Sequence, residues 1–501
     1  MTRPAGPARA DAGPAPALPY SGTPSAPPPC APENRRFLLI AAILASALGF
    51  IDSSVVAIAL PAMRDSLGAT LPQAQWISNA YLLALSALIL VGGAAGDRFG
   101  PARVFGAGIA LFMLASLACT LATGPPAMIA ARAVQGLGAA AMVPGALALI
   151  ARAYPPGERG AAIGLWAASS AVTTALGPLA GGVLLTFGGP DAWRAIFAVN
   201  LPLGAVALWL LATKVTRDPA RPATRLDLPG AALAALALGA LAAGLTGAEH
   251  GATAIDLGLV ALGLAALAGF VATERAGTQP MIPLRLFADR AFAAANTVTF
   301  VLYFALTTIL FFLPMTAIAG WGLTAMEPAA AFAPLSLFVG ARSPAMGRLA
   351  ERVGAGRLIA PGAALVAAAC AAMAASAPAQ AFWAAVFPAA MAMGLGMALV
   401  VAPLSAVVMA RAGEHTGAAS GINNALARMA GLLAVAAMGP VAAAAYAGRD
   451  GPDSFGAALS GPDAAHAAAS AAGFAAVAWC AAGLAALAAL LAWLTLPPRG
   501  G

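Results

Sequence analysis

Residues 93 to 103 read Gly93-Ala94-Ala95-Gly96-Asp97-Arg98-Phe99-Gly100-Pro101-Ala102-Arg103, a short charged string between two long apolar runs. Its frame returns in Gly347, Glu351, Arg352, Gly354 and Arg357, each at an offset of 254 from Gly93, Asp97, Arg98, Gly100 and Arg103. A second string, Gly160-Ala161-Ala162 followed by Gly164, returns as Gly417-Ala418-Ala419 followed by Gly421 at an offset of 257. Repeats at such spacing mark a chain built from two similar, parallel halves. Six membrane spans of ~20 residues with their loops occupy roughly 190 residues, so the surplus leaves room for two more helices between the halves.

The composition agrees. Of 501 residues 61% are apolar and 9% charged, against about 45 to 50% and about 25% in soluble domains. Mean hydropathy is +0.87. With 5 Tyr and 8 Trp, and no ~10-residue segments of alternating polarity, an outer-membrane barrel is excluded. The net charge of +7 comes from basic residues scattered between apolar runs, so no nucleic-acid partner is expected. All of the 26 basic residues but Lys214 are Arg, which with the abundance of Ala, Gly and Pro suggests a GC-rich bacterial genome. Cys30, Cys119, Cys370 and Cys480 lack metal-type or disulfide-type spacing and are expected to be inert thiols. His250, His415 and His466 are assigned to polar connections, so neither a metal site nor a cofactor is expected.

Residues 1 to 35 form a Pro-rich tail expected to be disordered; an apolar signal-peptide core is missing from it. Apolar runs then predict spans at 37–60, 76–96, 103–123, 127–150, 160–187 and 193–213, a pair at 228–247 and 254–273, and six more at 292–314, 328–346, 358–376, 382–409, 417–445 and 470–496. The expected organisation is an all-α polytopic membrane protein of 14 transmembrane helices, 6 + 2 + 6, with pseudo-twofold parallel halves. Its parts are a cytoplasmic tail (1–35), an N-terminal six-helix bundle (36–213), two inserted helices with linkers (214–290), a C-terminal six-helix bundle (291–496) and a cytoplasmic C-terminus (497–501). With both termini cytoplasmic, 20 of the 26 basic residues fall inside, three outside (Arg64, Arg194, Arg449) and three within spans (Arg132, Arg342, Arg428), as the positive-inside rule requires.

A charge at mid-span costs about 2.5 to 3.5 kcal/mol on insertion scales. Asp52 is the acidic residue placed deep within a span. It precedes Pro61 by nine residues, roughly 13 Å at 1.5 Å per residue. Arg132 follows Pro126 by six residues, roughly 9 Å below the same face. At similar depth the two can meet, either as a proton site whose affinity depends on its distance from a guanidinium or as a static ion pair locking two helices. Gln135, one turn from Arg132, faces the same place. The string Gly93, Asp97, Arg98, Gly100, Arg103 and its copy read as gate elements in which small residues permit close approach and charges clasp helix ends; a topology signal alone is the other reading. Gly164, Gly177, Pro178, Gly181 and Gly182 mark a helix able to bend or pack closely. Asn79, Tyr81, Gln135, Asn296, Tyr303, Asn423 and Asn424 are candidates for the lining of a central cavity.

Taken together these strings resemble the major facilitator superfamily, and within it the 14-helix drug:proton antiporters of the multidrug efflux type, over about residues 36 to 496. Asp52-Ser53-Ser54-Val55-Val56 through Ala59-Leu60-Pro61 is similar to that group's first-helix motif, with Ala57 where Asn is usual. Gly93 to Arg103 resembles the loop motif, with Ala95 for Leu and Pro101-Ala102 for basic residues. Arg132, Gln135 and Gly136 resemble the fourth-helix motif, whose Arg the family links to proton transfer. Gly164, Gly177, Pro178, Gly181 and Gly182 resemble the antiporter motif, with Thr173 for a Gly. Trp193-Arg194, Phe197, Asn200, Pro202 and Gly204 resemble the sixth-helix signature of the 14-helix group.

The resemblance implies a non-enzymatic secondary carrier in the bacterial cytoplasmic membrane. It would export small lipophilic compounds against protons by alternating access, as a monomer, with accessory export proteins as further partners. Asp52 would accept the proton and Arg132 would act as its electrostatic switch. A single deep carboxylate favours neutral or monocationic substrates over dications. A proton-coupled carrier for one metabolite, symporter or exporter, shares the fold and is the alternative. No Gly-x-x-x-x-Gly-Lys loop and no clustered catalytic side chains support ATP-driven transport or an enzyme.

Overall fold

The computed structural model describes residues 29–189, 191–216, 227–248, 251–277, 282–412, 416–459 and 461–496. The regular structure among the described residues is helical, without a strand. In a bilayer each backbone amide needs a partner within its own segment, and a helix supplies it. In order the helices are α1 (Arg35–Leu67), α2 (Leu71–Phe99), α3 (Pro101–Thr120), α4 (Pro125–Ala153), α5 (Pro156–Phe187), α6 (Trp193–Ala198), α7 (Asn200–Lys214), α8 (Leu228–Gly247), α9 (Ala254–Ala276), α10 (Arg290–Pro314), α11 (Met326–Val353), α12 (Gly356–Ser376), α13 (Phe387–Ala410), α14 (Thr416–Ala447) and α15 (Ala464–Thr495).

Their starts follow local chemistry. Pro opens α3, α4 and α5, where its missing N–H costs nothing. Thr70 and Gln73 form a capping box on α2, and Thr253 and Asp256 form one on α9; Asp227, Asp289 and Asp463 accept backbone N–H bonds at the starts of α8, α10 and α15.

The repeat seen in the sequence is also a repeat of backbone geometry. Gly100 turns α2 into α3 with φ 96° and ψ 126°, and Gly354 turns α11 toward α12 with φ 95° and ψ 138°. Only glycine adopts this region without strain, so both copies of the motif keep it.

Among the described residues thirteen helical segments are long and apolar enough to cross a membrane, α6 and α7 counting as one at Trp193–Lys214. The remaining expected span, 328–346, lies in α11, which has the length but carries Glu327, Arg342, Arg348, Glu351 and Arg352. A break at Val199 divides the expected 193–213 span into α6 and α7. Past Pro314, α10 runs on as a π-helical turn, Met315–Gly320, widening the spiral where the proline interrupts the regular ladder.

Two expectations change. His466 sits in the first turn of α15, 2% exposed, with Nδ1 2.5 Å from the Tyr446 hydroxyl, because Asp463 starts the helix earlier than hydropathy suggests; His250 and His415 lie outside the described residues. Residues 1–28 of the expected tail and 497–501 also lie outside them. At the tail's inner end the Pro29 carbonyl accepts the Thr216 backbone N–H at 2.8 Å, and Cys30 is buried. Cys119 and Cys370 are buried free thiols, and Cys480 is exposed on α15.

Helices α1–α7 and α10–α15 pack mainly among themselves and meet where α5 lies on α11 and α2 on α14. The pair α8 and α9 joins this body through α8, which touches both α2 and α14; Leu238 and Ala242 of α8 pack with Leu432 and Ala436 of α14. On the side where α1 ends, called the far side, the two groups are bonded together. Arg64 donates to the Ser454 hydroxyl at 2.7 Å and to the Phe455 carbonyl, and Gln75 donates to the Val435 carbonyl. On the near side, where α1 begins, Gly164 of α5 and Gly347 of α11 have nothing within contact distance of where a Cβ would stand.

Candidate functional site

Asp52, midway along α1, meets Arg132, two turns into α4. Arg132 Nη1 donates to Asp52 Oδ2 at 2.6 Å, and both side chains are buried. Gln135 Nε2 donates to Asp52 Oδ1 at 3.0 Å, so each carboxylate oxygen accepts from a donor, the pattern of an ionised carboxylate. Arg132 holds further partners: Nε donates to the Ile77 carbonyl at 3.1 Å, Nη1 to Gln135 Oε1 at 2.5 Å, and the guanidinium lies 4.4 Å from the Tyr81 ring centre and 5.7 Å from that of Phe197.

The network runs outward through Ser116. Its hydroxyl accepts from Gln135 at 2.9 Å and from Asn200 at 3.2 Å and donates to the Phe112 carbonyl at 2.8 Å. One cluster thus draws on α1, α2, α3, α4, α6 and α7. Ser116 was not singled out from the sequence, where a lone Ser in an apolar run carries no signal. Asn200 stood in the sixth-helix signature without a stated partner.

The close approach of α2 and α4 that builds the cluster depends on glycine. A Cβ on Gly136 would strike the Tyr81 carbonyl, and one on Gly92 would strike the Ala140 carbonyl. Gly93, the motif member, has only an ordinary 3.7 Å approach to Pro144; the tight contact belongs to its neighbour.

Beside the cluster, on the near-side half of the interface, lies a cavity of about 100 Å³ bounded by Ser46, Phe50, Tyr81, Trp166, Asn424 and Arg428, among others. Tyr81 belongs to both places: one ring face carries Arg132, and the residue also lines the cavity. Trp166 Nε1 donates to Ser46 at 2.8 Å, tying α5 to α1 at the cavity wall. Asn423 points away from this cavity, donating to Thr299 at 2.9 Å and Asn296 at 3.4 Å, so it and Asn296 join α14 to α10. Tyr303 packs against the large apolar core that α10–α15 share with α1–α4 and α6. Asn79 is fully buried, with neither amide atom hydrogen-bonded.

The other expected site residues separate by place. Asp97, Arg98, Arg103, Glu351, Arg352 and Arg357 cluster at the near-side turns after α2 and α11 and make no ion pair among the described residues, though Arg98 lies over the Phe99 ring at 5.3 Å. Gly177 and Gly181, one turn apart on α5 around Pro178, face Ser54 and Val55 of α1; a Cβ at Gly181 would stand 2.7 Å from Val55. Gly182 faces across the interface, where a Cβ would stand 2.7 Å from Ala329 Cβ of α11 and 3.1 Å from the carbonyl of Ala325, which caps that helix.

Two helical groups around an interfacial cavity, with a buried ion pair beside it, define a membrane carrier. The family model of the Major Facilitator Superfamily matches residues 42–435, and the chain belongs to that superfamily. It is 32% identical over 407 residues to the methylenomycin A resistance protein of Streptomyces coelicolor, covering 80% of this chain and 85% of that one. It is 35% identical over 413 residues to the cephamycin export protein CmcT of Amycolatopsis lactamdurans, covering 80% and 83%. Among solved structures, a bacterial homologue of the lysosomal transporter Spinster matches with a TM-score of 0.66 at 18% identity, covering 92% of this chain and 97% of that one; this likeness bears on the fold.

Proposed function

We propose that this chain exports drugs or other small lipophilic compounds across the bacterial cytoplasmic membrane in exchange for protons. Relatives named for antibiotic resistance and export support the direction and the substrate class. The observation that carries the mechanism is the Asp52–Arg132 pair, joined to the cavity through the Tyr81 ring.

Both termini are cytoplasmic in this reading, which puts the basic loops inside and makes the near side cytoplasmic. Counting α11 as a span gives fourteen, in the order six (36–213), two (214–290) and six (291–496). The far-side bonds from Arg64, Gln75 and the Gly182 contact then seal the external face, and the described state opens inward. To accept a proton, Asp52 must release Arg132. Arg132 keeps the Ile77 carbonyl, Gln135 Oε1 and two aromatic faces when it does so, so the switch strands no bare cation. A shift of the guanidinium displaces the Tyr81 ring beneath it, and with it the cavity wall. The motif turns at Gly100 and Gly354, with their charged neighbours, form the inner gate, and α5 around Pro178 is the element that leans between α1 and α11.

One proton crossing about 100 mV supplies about 2.3 kcal/mol and one pH unit about 1.4 kcal/mol. Together these sustain a gradient of several hundred-fold for a neutral substrate exchanged one for one. The test is reconstitution in vesicles holding a pH dye, with a panel of lipophilic cations, neutral antibiotics and dyes, comparing wild type with Asp52→Asn. Substrate-triggered proton flux that disappears in the variant is the expected result. Undiminished proton-driven export by the variant overturns the assignment of Asp52, and a wild type that answers one metabolite alone replaces drug export with the narrower carrier.

A further inference from the structure

Arg428 lies twelve residues into α14, about 18 Å along the helix at ~1.5 Å per residue, and borders the interfacial cavity. It makes no hydrogen bond and no ion pair among the described residues, and its Nε is buried without a partner. The other arginines held between helices are matched: Arg132 by Asp52, Arg64 by Ser454 and the Phe455 carbonyl, and Arg194 by the carbonyls of Thr120 and Ala122. Among the described residues no carboxylate stands ready to neutralise Arg428. Asp52 already accepts at both oxygens, and every other described acidic residue lies in a loop or within the first or last turn of a helix. A partly buried cation held between helices without a counter-charge is costly, and here it borders space that another molecule can fill.

The surroundings suit one kind of occupant. Asn424, one turn before Arg428 on the same face, adds amide donors, while Trp166, Phe50 and Met142 supply apolar and aromatic wall. At about 100 Å³ the closed cavity is smaller than the ~300 Å³ and upward typical of drug sites; it fits a head group, with the rest of the molecule extending toward the inner opening. We propose that Arg428 binds the carboxylate, or a similar oxyanion, of an amphiphilic organic acid, so that this carrier prefers anionic aromatic substrates over neutral and cationic ones. The inference rests on the reading of this cavity as the substrate site. It revises the preference for neutral or monocationic compounds that the lone carboxylate suggested, because Arg428 gives the site a net positive charge even while Asp52 is ionised. Arginine suits this role because its planar fork meets two carboxylate oxygens at once.

The test uses three ligands of one shape: 2-naphthoate, 2-naphthamide and 2-naphthylmethylammonium, titrated calorimetrically into the detergent-solubilised full chain. Wild type should bind the acid at least ~10-fold more tightly than the amide, as expected when a charged hydrogen bond replaces a neutral one, and should bind the ammonium most weakly. In Arg428→Gln the acid-to-amide ratio should fall toward one, and Arg428→Lys should restore part of it. Equal binding of acid and amide by wild type overturns the proposal, as does an unchanged ratio in Arg428→Gln. Equal weakening of all three ligands by both variants also overturns it, since that is the signature of a packing role. Should wild-type vesicles couple neutral and cationic drugs to protons without any preference for acids, drug export stands and the anion site fails. Should the acid preference hold while no proton moves, the coupling fails and the site stands.

Discussion

Within the Asp52–Arg132–Gln135 cluster the two charged residues are not equivalent. Arg132 has a carbonyl, an amide oxygen and two ring faces besides Asp52, whereas Asp52 has only Arg132 and Gln135. Removing the cation leaves a buried carboxylate with one neutral donor, and removal of one partner of a buried pair typically costs about 3 to 5 kcal/mol. Arg132→Leu should therefore lower the thermal midpoint of the purified protein sharply. Asp52→Asn, which keeps shape and leaves Arg132 its other contacts, should lower it by less, and the double variant should recover much of the Arg132→Leu loss. Additive losses would show that the pair is not coupled in the folded protein. Depth arithmetic from Pro61 and Pro126 was enough to bring Asp52 and Arg132 together from sequence. It could not reach Ser116 or the role of the Tyr81 ring face, because those depend on the rotation of α2 and α3 about their axes, and helices this uniformly apolar carry little periodic signal to orient them.

At the level of helices, α5 shows what a motif read from sequence leaves open. Gly177 and Gly181 are one turn apart and share a face, while Gly182 is turned about 100° from Gly181. The first two seat α5 against Ser54 and Val55 of α1, and the third seats it against Ala329 of α11 and Ala325, the cap of that helix. Helical arithmetic separates the faces, but naming the neighbours requires the packed molecule. Gly182→Val inserts atoms into the α5–α11 contact at the outer end of the interface, where a Cβ already falls inside normal packing distance, and should hold the external face open. A spin-label pair on α5 and α11 near that face should report a longer distance in the variant, together with a transport rate reduced roughly 5- to 100-fold, the order expected when a misfit of about 1 to 3 kcal/mol bears on one of two states. Gly164→Ala meets open space and serves as the comparison; an unchanged α5–α11 distance in Gly182→Val would remove Gly182 from the seal. Helix placement was the most readable feature of the sequence, since long apolar runs admit little else in a bilayer. The α6–α7 break and the π turn after Pro314 were not readable, because neither changes hydropathy.

For the molecule as a whole, the charge carried per cycle separates the possible substrates. With one proton entering for each molecule leaving, a monovalent cation moves no net charge, a neutral compound moves one and a monoanion moves two. At about 2.3 kcal/mol per charge per 100 mV, the voltage contributes nothing, about 2.3 and about 4.6 kcal/mol respectively, while one pH unit adds about 1.4 kcal/mol to each. An anion held by Arg428 is thus the substrate that this exchange expels most strongly from a cell with a negative interior. Vesicles loaded with potassium and treated with valinomycin allow the potential to be set while pH is held constant. Imposing about 100 mV should raise the limiting 2-naphthoate gradient by roughly three orders of magnitude and that of 2-naphthamide by about fifty-fold, at ~1.4 kcal/mol per factor of ten. The ammonium gradient should not respond. Asp52→Asn, with no proton to carry, should lose the response to pH for all three ligands. A naphthoate gradient that rises with voltage only as the amide's does would mean that its charge is neutralised before it crosses, and one that ignores voltage would mean that the proton travels out with the acid instead of in against it.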